Sequence, residues 1–152
     1  MKQLLELSVM LAMTGAAVSA AAIPAQKITL TRTNRNCDGS LASSTELNEP
    51  FGFANLVKPA SGKVVAAVVL QGATPGATYK VRLVQAPKPS PCYDNIPSDT
   101  FITDGSGNGN INFQEPVDPS ATAVLVALNN LANPNDDYFT TNPKNFPLSP
   151  RA

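Results

Sequence analysis

The segment Asp104-Gly105-Ser106-Gly107-Asn108-Gly109-Asn110-Ile111-Asn112-Phe113-Gln114-Glu115 has the most chemically suggestive spacing in the chain. Read as a calcium loop, it supplies side-chain oxygens at Asp104, Ser106, Asn108 and Asn112, a turn glycine at Gly109 and a closing carboxylate at Glu115. Such a loop must run out into a helix, and Pro116 directly after Glu115 would break one. The preceding IPSDTFIT alternates as a strand does. A Gly/Ser/Asn turn joining two strands explains the same residues at less cost, because these types tolerate positive φ and bond their own backbone. The leading expectation is therefore a hairpin between FIT and NINFQ. Calcium held by Asp104, Ser106, Asn108 and Glu115 is the alternative.

The chain has no histidine, so neither a Ser-His-Asp nor a Cys-His arrangement can be built, and imidazole-based metal sites are excluded. Paired carboxylates suffice for glycoside hydrolysis. Here, though, the acids Asp94, Asp99, Asp104, Asp118, Asp136 and Asp137 sit mostly in turn-forming surroundings, where they read as turn formers and solvated charges. Asp136 and Asp137 are adjacent, and neighbours on an extended segment point to opposite faces. The expectation is a protein that is not an enzyme and carries no cofactor.

Binding chemistry is better represented. The segment Ala86 to Asp99, APKPSPCYDNIPSD, combines four prolines with Cys92, Tyr93, Asp94 and Asn95. Prolines and a cross-link pre-order a loop and so reduce the entropy lost on binding, while tyrosine beside asparagine makes an adaptable contact pair. Tyr93, Asp94 and Asn95 are thus the candidate binding loop. The plainer reading is a long crossover tied down for stability. Glycan platforms need exposed aromatic rings, and Tyr93 and Tyr138 are the tyrosines available for that role.

Cys37 and Cys92 are the only cysteines. In an exported chain an even count reads first as a disulfide. The bond would close a loop of about 55 residues and remove roughly 4 kcal/mol of denatured-state freedom. Export is expected from residues 1–20: Lys2, an uncharged apolar run from Leu7, and small residues at Val18-Ser19-Ala20 resemble a cleaved secretory signal. Removing it takes Lys2 and Glu6 and leaves the chain formally neutral, without the basic stripe that nucleic acid or anionic lipid would require. No later stretch is long and apolar enough to span a bilayer.

The elements that must position these residues are short and extended. Fourteen prolines and nine glycines punctuate the chain, and apolar residues recur at period two between turn residues. Strands are expected around KITLTRT, Phe51 to Leu56, KVVAAVVL at 63–70, TYKVRLV at 78–84, FIT, NINFQ, TAVLVAL at 122–128 and DYFTT. KVVAAVVL and TAVLVAL are apolar on both faces and read as central strands covered on two sides. Short helices are conceivable only at Ala42 to Leu47, or as a turn near Asn129 to Ala132. The resulting fold class is all-β: an antiparallel two-sheet sandwich of seven to eight strands with one disulfide. One domain spans residues 21–152, with its core at about 27–141 and a proline-rich, frayed tail after 142.

Gly72, Pro75 and Tyr79 form a Gly/Pro corner followed by a strand that opens with tyrosine. This resembles the tyrosine corner of fibronectin type III and other immunoglobulin-like sandwiches, in which the tyrosine hydroxyl bonds a backbone group a few residues upstream. Ala73 stands where that family carries leucine, and the chain has no tryptophan. The order of segments is also similar to exported microbial β-sandwich proteins of unknown function. The resemblance implies an immunoglobulin-like fold. Together with the leader it points to a secreted extracellular interaction module whose partner is a protein or glycan, with a carbohydrate-binding module or a structural surface component as alternatives.

Overall fold

A computed structural model describes residues 23–59, 61–89 and 91–145; the expected leader and the chain after residue 145 lie outside them. The described residues contain no helix, and nine strands account for the order: β1 (Ile23–Thr31), β2 (Gly52–Lys58), β3 (Lys63–Leu70), β4 (Thr78–Ala86), β5 (Asp99–Ile102), β6 (Gly109–Pro116), β7 (Ala123–Asn130), β8 (Tyr138–Thr141) and the two-residue β9 (Lys144–Asn145). Of the segments considered for short helices, Ala42 to Leu47 is bend and irregular backbone, while Asn129 and Asn130 end β7 and Leu131 and Ala132 are turn. Ala42 to Leu47 is largely exposed and lacks an apolar face to bury.

Eight strands hydrogen-bond in the order β5-β4-β7-β8-β1-β2-β3-β6, with every pairing antiparallel, and β9 adds to β7. β1 is the seam: Gln26 to Thr29 pair with β2, while Leu30 and Thr31 pair with β8. A single continuous ladder therefore curls into a nearly closed, barrel-like sheet, where a sandwich split cleanly into two sheets was expected. Leu30, Leu56, Leu70, Tyr79, Val81, Leu83, Leu128 and Phe139 fill the interior and are fully buried. Each contributes about 1.5–3 kcal/mol of apolar burial.

β5 and β6 do not form the expected hairpin. β5 pairs with β4 and β6 with β3, so they are the two ends of the strand order, brought face to face by the turn between them. Only the turn itself is bonded across, by Asp104 N–H to the Asn108 carbonyl at 2.8 Å. Gly107, at φ +78°, lies so close to Ala73 that a Cβ there would sit 2.0 Å from the Ala73 carbonyl oxygen. This contact docks the turn on the Gly72–Pro75 corner, where the Ala73 N–H donates to the Gly107 carbonyl at 3.0 Å.

The two doubly apolar strands behave differently. In β7, Ala123 to Leu128 are all buried, because loops cover its outer face. In β3, Val64, Ala66, Val68 and Leu70 are buried, whereas Val65, Ala67 and Val69 are only half-buried. That outer face is only partly covered among the described residues, so the expectation of a strand enclosed on both sides holds for β3 only in part.

Candidate functional site

The loops over β7 are those joined by the disulfide. Cys37 and Cys92 are bonded with their Cα atoms 5.5 Å apart. Cys92 packs with Val84, Leu125 and Ala127 in a second small core, against which Cys37, Tyr93 and Ile96 rest. The Tyr93 hydroxyl donates to the Arg35 carbonyl at 3.2 Å, tying one loop to the other beside the disulfide.

This covering stops short of the β7–β8 turn, and the uncovered part of the sheet is a groove of about 460 Å³, within the range of small-molecule clefts. Register builds its floor as two rows. Lys80, Asn129 and Tyr138 lie side by side on β4, β7 and β8, and Arg82, Ala127 and Thr140 form the next row, where the covering begins and Ala127 and Thr140 are already buried. Tyr93, Asp94 and Asn34 border the groove, as do Leu131, Pro134 and Asn135 of the β7–β8 turn. Several groups are fixed. Arg82 donates to the Asn129 side-chain oxygen at 3.2 Å and lies over the Tyr93 ring at 5.9 Å. Asn129 in turn donates to the Pro134 carbonyl at 2.9 Å. Burial lowers the pKa of the Arg82 guanidinium, opposed by the nearby negative charge of Asp94. Burial also pushes the Tyr93 hydroxyl up.

The sequence-derived candidates divide accordingly. Tyr93 and Asp94 line the groove together with Tyr138. Asn95 is exposed and adopts φ +62°, closing the turn after them. Lys80, Arg82 and Asn129 escaped sequence reading. The alternation of TYKVRLV places Lys80 and Arg82 on the outward face, but which strand lies beside them depends on register.

The four calcium candidates are not brought together. Asp104 spends its carboxylate on the turn, accepting from the backbone N–H of Ser106 at 2.8 Å and of Asn108 at 3.0 Å, and these bonds lower its pKa. Asn108 accepts from the Gly72 N–H at 3.0 Å. Glu115 lies seven residues along β6 from Asn108, roughly 20 Å at strand rise. It is buried, with Oε1 accepting from Gln85 at 2.7 Å and Oε2 without a hydrogen-bond partner. Desolvation raises its pKa despite the bond from Gln85. Among the described residues, no cluster of three or more Cys, Asp or Glu has metal-holding geometry.

Asp137 also departs from the solvated role expected of it. Asp136 is exposed, whereas Asp137 is buried and serves as a hub. Its Oδ2 accepts from the hydroxyls of Tyr79 at 2.7 Å and Thr74 at 2.8 Å and from Asn130 at 2.9 Å, and its Oδ1 pairs with Arg32 at 3.1 Å. Burial pushes this carboxyl up, but the four donors outweigh it and hold the pKa below its ordinary value. The Tyr79 hydroxyl also accepts from the Thr74 N–H at 3.3 Å, five residues upstream across the Gly72–Pro75 corner.

No family model, curated protein or solved structure matches the chain. No helix among the described residues is long and apolar enough to cross a membrane.

Proposed function

We propose that this chain is a secreted, non-enzymatic interaction module that holds an extracellular ligand in the groove between the disulfide-tied loops and the β7–β8 turn. One observation carries the reading: Tyr93, Asp94 and Tyr138, from distant parts of the chain, border a single groove whose floor is regular sheet. A rigid sheet presenting loop residues is the usual arrangement of a binding surface. The signal-like residues 1–20 and the Cys37–Cys92 bond support release into an oxidising compartment. The Tyr79–Thr74 bond across the corner supports an immunoglobulin-like relationship, with the near closure of the sheet as the departure from it.

The test is retention by the oxidised chain lacking residues 1–20, immobilised and exposed to extracellular polysaccharides and proteins. Tyr138→Ala should lose a ligand that the wild type retains, while Asn112→Ala, on the outer face of β6 away from the groove, should keep it. Equal retention by both variants, or none by the wild type at micromolar bait, would sink the proposal.

A second reading, a structural surface component, is favoured by one observation. Phe53, Val57, Val65, Ala67 and Val69 form a partly exposed, mainly apolar patch across β2 and β3, interrupted by Asn55 and with the Lys27 ammonium over the Phe53 ring. Sedimentation velocity over a hundredfold concentration range distinguishes the two: a species that stays monomeric throughout rules the structural reading out.

A further inference from the structure

We infer that the groove takes an acidic saccharide, a pyranose chain bearing carboxylates, with Lys80 and Arg82 receiving the carboxylate and Tyr138 meeting the sugar face. This rests on the proposed binding role of the groove and names its ligand class. Its side chains fall into two sets. Arg82, Asn129 and Tyr93 are bonded to one another or to neighbouring backbone and form the fixed frame, with Arg82 held through Nη1 alone, so that its other N–H donors serve the ligand. The Lys80 ammonium and the side-chain amides of Asn34 and Asn135 have no hydrogen-bond or ion-pair partner among the described residues, so their capacity is free for a ligand.

The free set matches sugar chemistry. Planar amides bridge vicinal hydroxyls, and the half-buried Tyr138 ring offers an apolar surface for the C–H face of a pyranose, as aromatic rings with a polar tip do at other recognition surfaces. Charge selects the acidic kind. Lys80 and Arg82 are two residues apart on the outward face of β4, about 7 Å at strand rise, and Asp94 is the single acid lining the groove. The groove is therefore net positive on a chain that is formally neutral as a whole. A neutral sugar would leave the Lys80 charge without a counterpart. An acidic peptide would satisfy both cations but would make little use of the ring and the paired amides.

Calorimetric titration of the oxidised chain at low ionic strength, with four probes, tests this. Tetragalacturonate should bind, and its affinity should fall as salt is raised. Its fully methyl-esterified form, the same rings without charge, should bind at least tenfold more weakly; so should cellotetraose and hexaglutamate. Lys80→Gln, which breaks no side-chain hydrogen bond or ion pair within the protein, should weaken tetragalacturonate at least fivefold while leaving the thermal midpoint unchanged. Equal affinity for the methyl ester would overturn the role of the carboxylate, and equal affinity for hexaglutamate would overturn the saccharide. An unaltered Lys80→Gln titration would overturn the site. If no probe binds while Tyr138→Ala still abolishes retention of another ligand, the inference fails and the groove keeps its binding role.

Discussion

The hydroxyl of Tyr79 donates to Oδ2 of Asp137 at 2.7 Å and accepts from the Thr74 N–H at 3.3 Å, joining the Gly72–Pro75 corner to the β7–β8 turn. The same carboxylate pairs with Arg32, whose guanidinium lies over the Phe51 and Phe139 rings at 4.9 and 4.6 Å. One buried acid thus links the corner, the end of β7 and the stretch after β1, and so fixes the turn that borders the groove.

Tyr79→Phe removes one donor to Asp137 and strands the Thr74 N–H, at an expected cost of about 1–3 kcal/mol. Asp137→Ala removes the acceptor for four groups; Arg32 is partly exposed and can turn to water, but Tyr79, Thr74 and Asn130 lose a buried acceptor, which together should cost about 3–5 kcal/mol. Urea denaturation of both variants checks the ranking. A loss of less than about 0.5 kcal/mol for Tyr79→Phe would show that the bonds are made equally well to water.

Glu115 and Asp137 are expected to shape stability against pH in opposite directions. The raised Glu115 pKa means that the folded state binds its proton more tightly than the unfolded state. Its contribution is full below the ordinary value of 4.5 and is lost as pH rises through the folded value. The depressed Asp137 value contributes stability above its ordinary 3.8 that disappears as pH falls through the folded value. The urea midpoint should therefore be highest in mildly acid solution and decline toward neutrality. In Glu115→Gln the decline above 4.5 should flatten. A midpoint that keeps rising to pH 7 in the wild type would contradict the buried state of Glu115.

Strand positions were legible because alternation and turn residues act locally. KITLTRT, TYKVRLV and TAVLVAL each became strands close to where period-two patterning puts them. What arrives from a distance was not legible. KVVAAVVL and TAVLVAL look alike, and only the second is roofed, because the loops joined by Cys37 and Cys92 settle on Leu125 and Ala127. Asp136 and Asp137 are neighbours in sequence; the second is buried because Arg32, Thr74, Tyr79 and Asn130 converge on it from separate segments. The groove was half visible through Tyr93, Asp94 and Tyr138. The row Lys80–Asn129–Tyr138 emerges only once β4, β7 and β8 take their register.

The disulfide holds one side of the groove as well as the fold. Replacing Cys37 and Cys92 together by serine should cost up to about 4 kcal/mol by the chain-entropy estimate for this loop. The packing of Tyr93 and Ile96 on Val84, Leu125 and Ala127 would remain as a partial clamp. Comparing urea midpoints of the oxidised wild type and the double variant measures this. A shift below about 1 kcal/mol would assign the clamping to packing rather than to the bond.

The turn that brings the two ends of the sheet together provides an internally controlled experiment. Gly105 and Gly107 are two residues apart in one turn, yet their surroundings differ. A Cβ at Gly105 would meet nothing within 4 Å, and its φ lies outside the left-handed range. At Gly107 the φ is +78° and a Cβ would be driven to 2.0 Å from the Ala73 carbonyl oxygen, so the docking of turn on corner would have to open. Gly105→Ala should be neutral or stabilising by up to about 1 kcal/mol through the unfolded chain. Gly107→Ala should lower stability by more than about 2 kcal/mol, since backbone strain of about 1 kcal/mol or more adds to the loss of the Ala73–Gly107 bond. Thermal midpoints of the two variants, measured side by side, decide it: equal midpoints would mean that the turn does not sit against the corner and that the ends of the sheet stand apart.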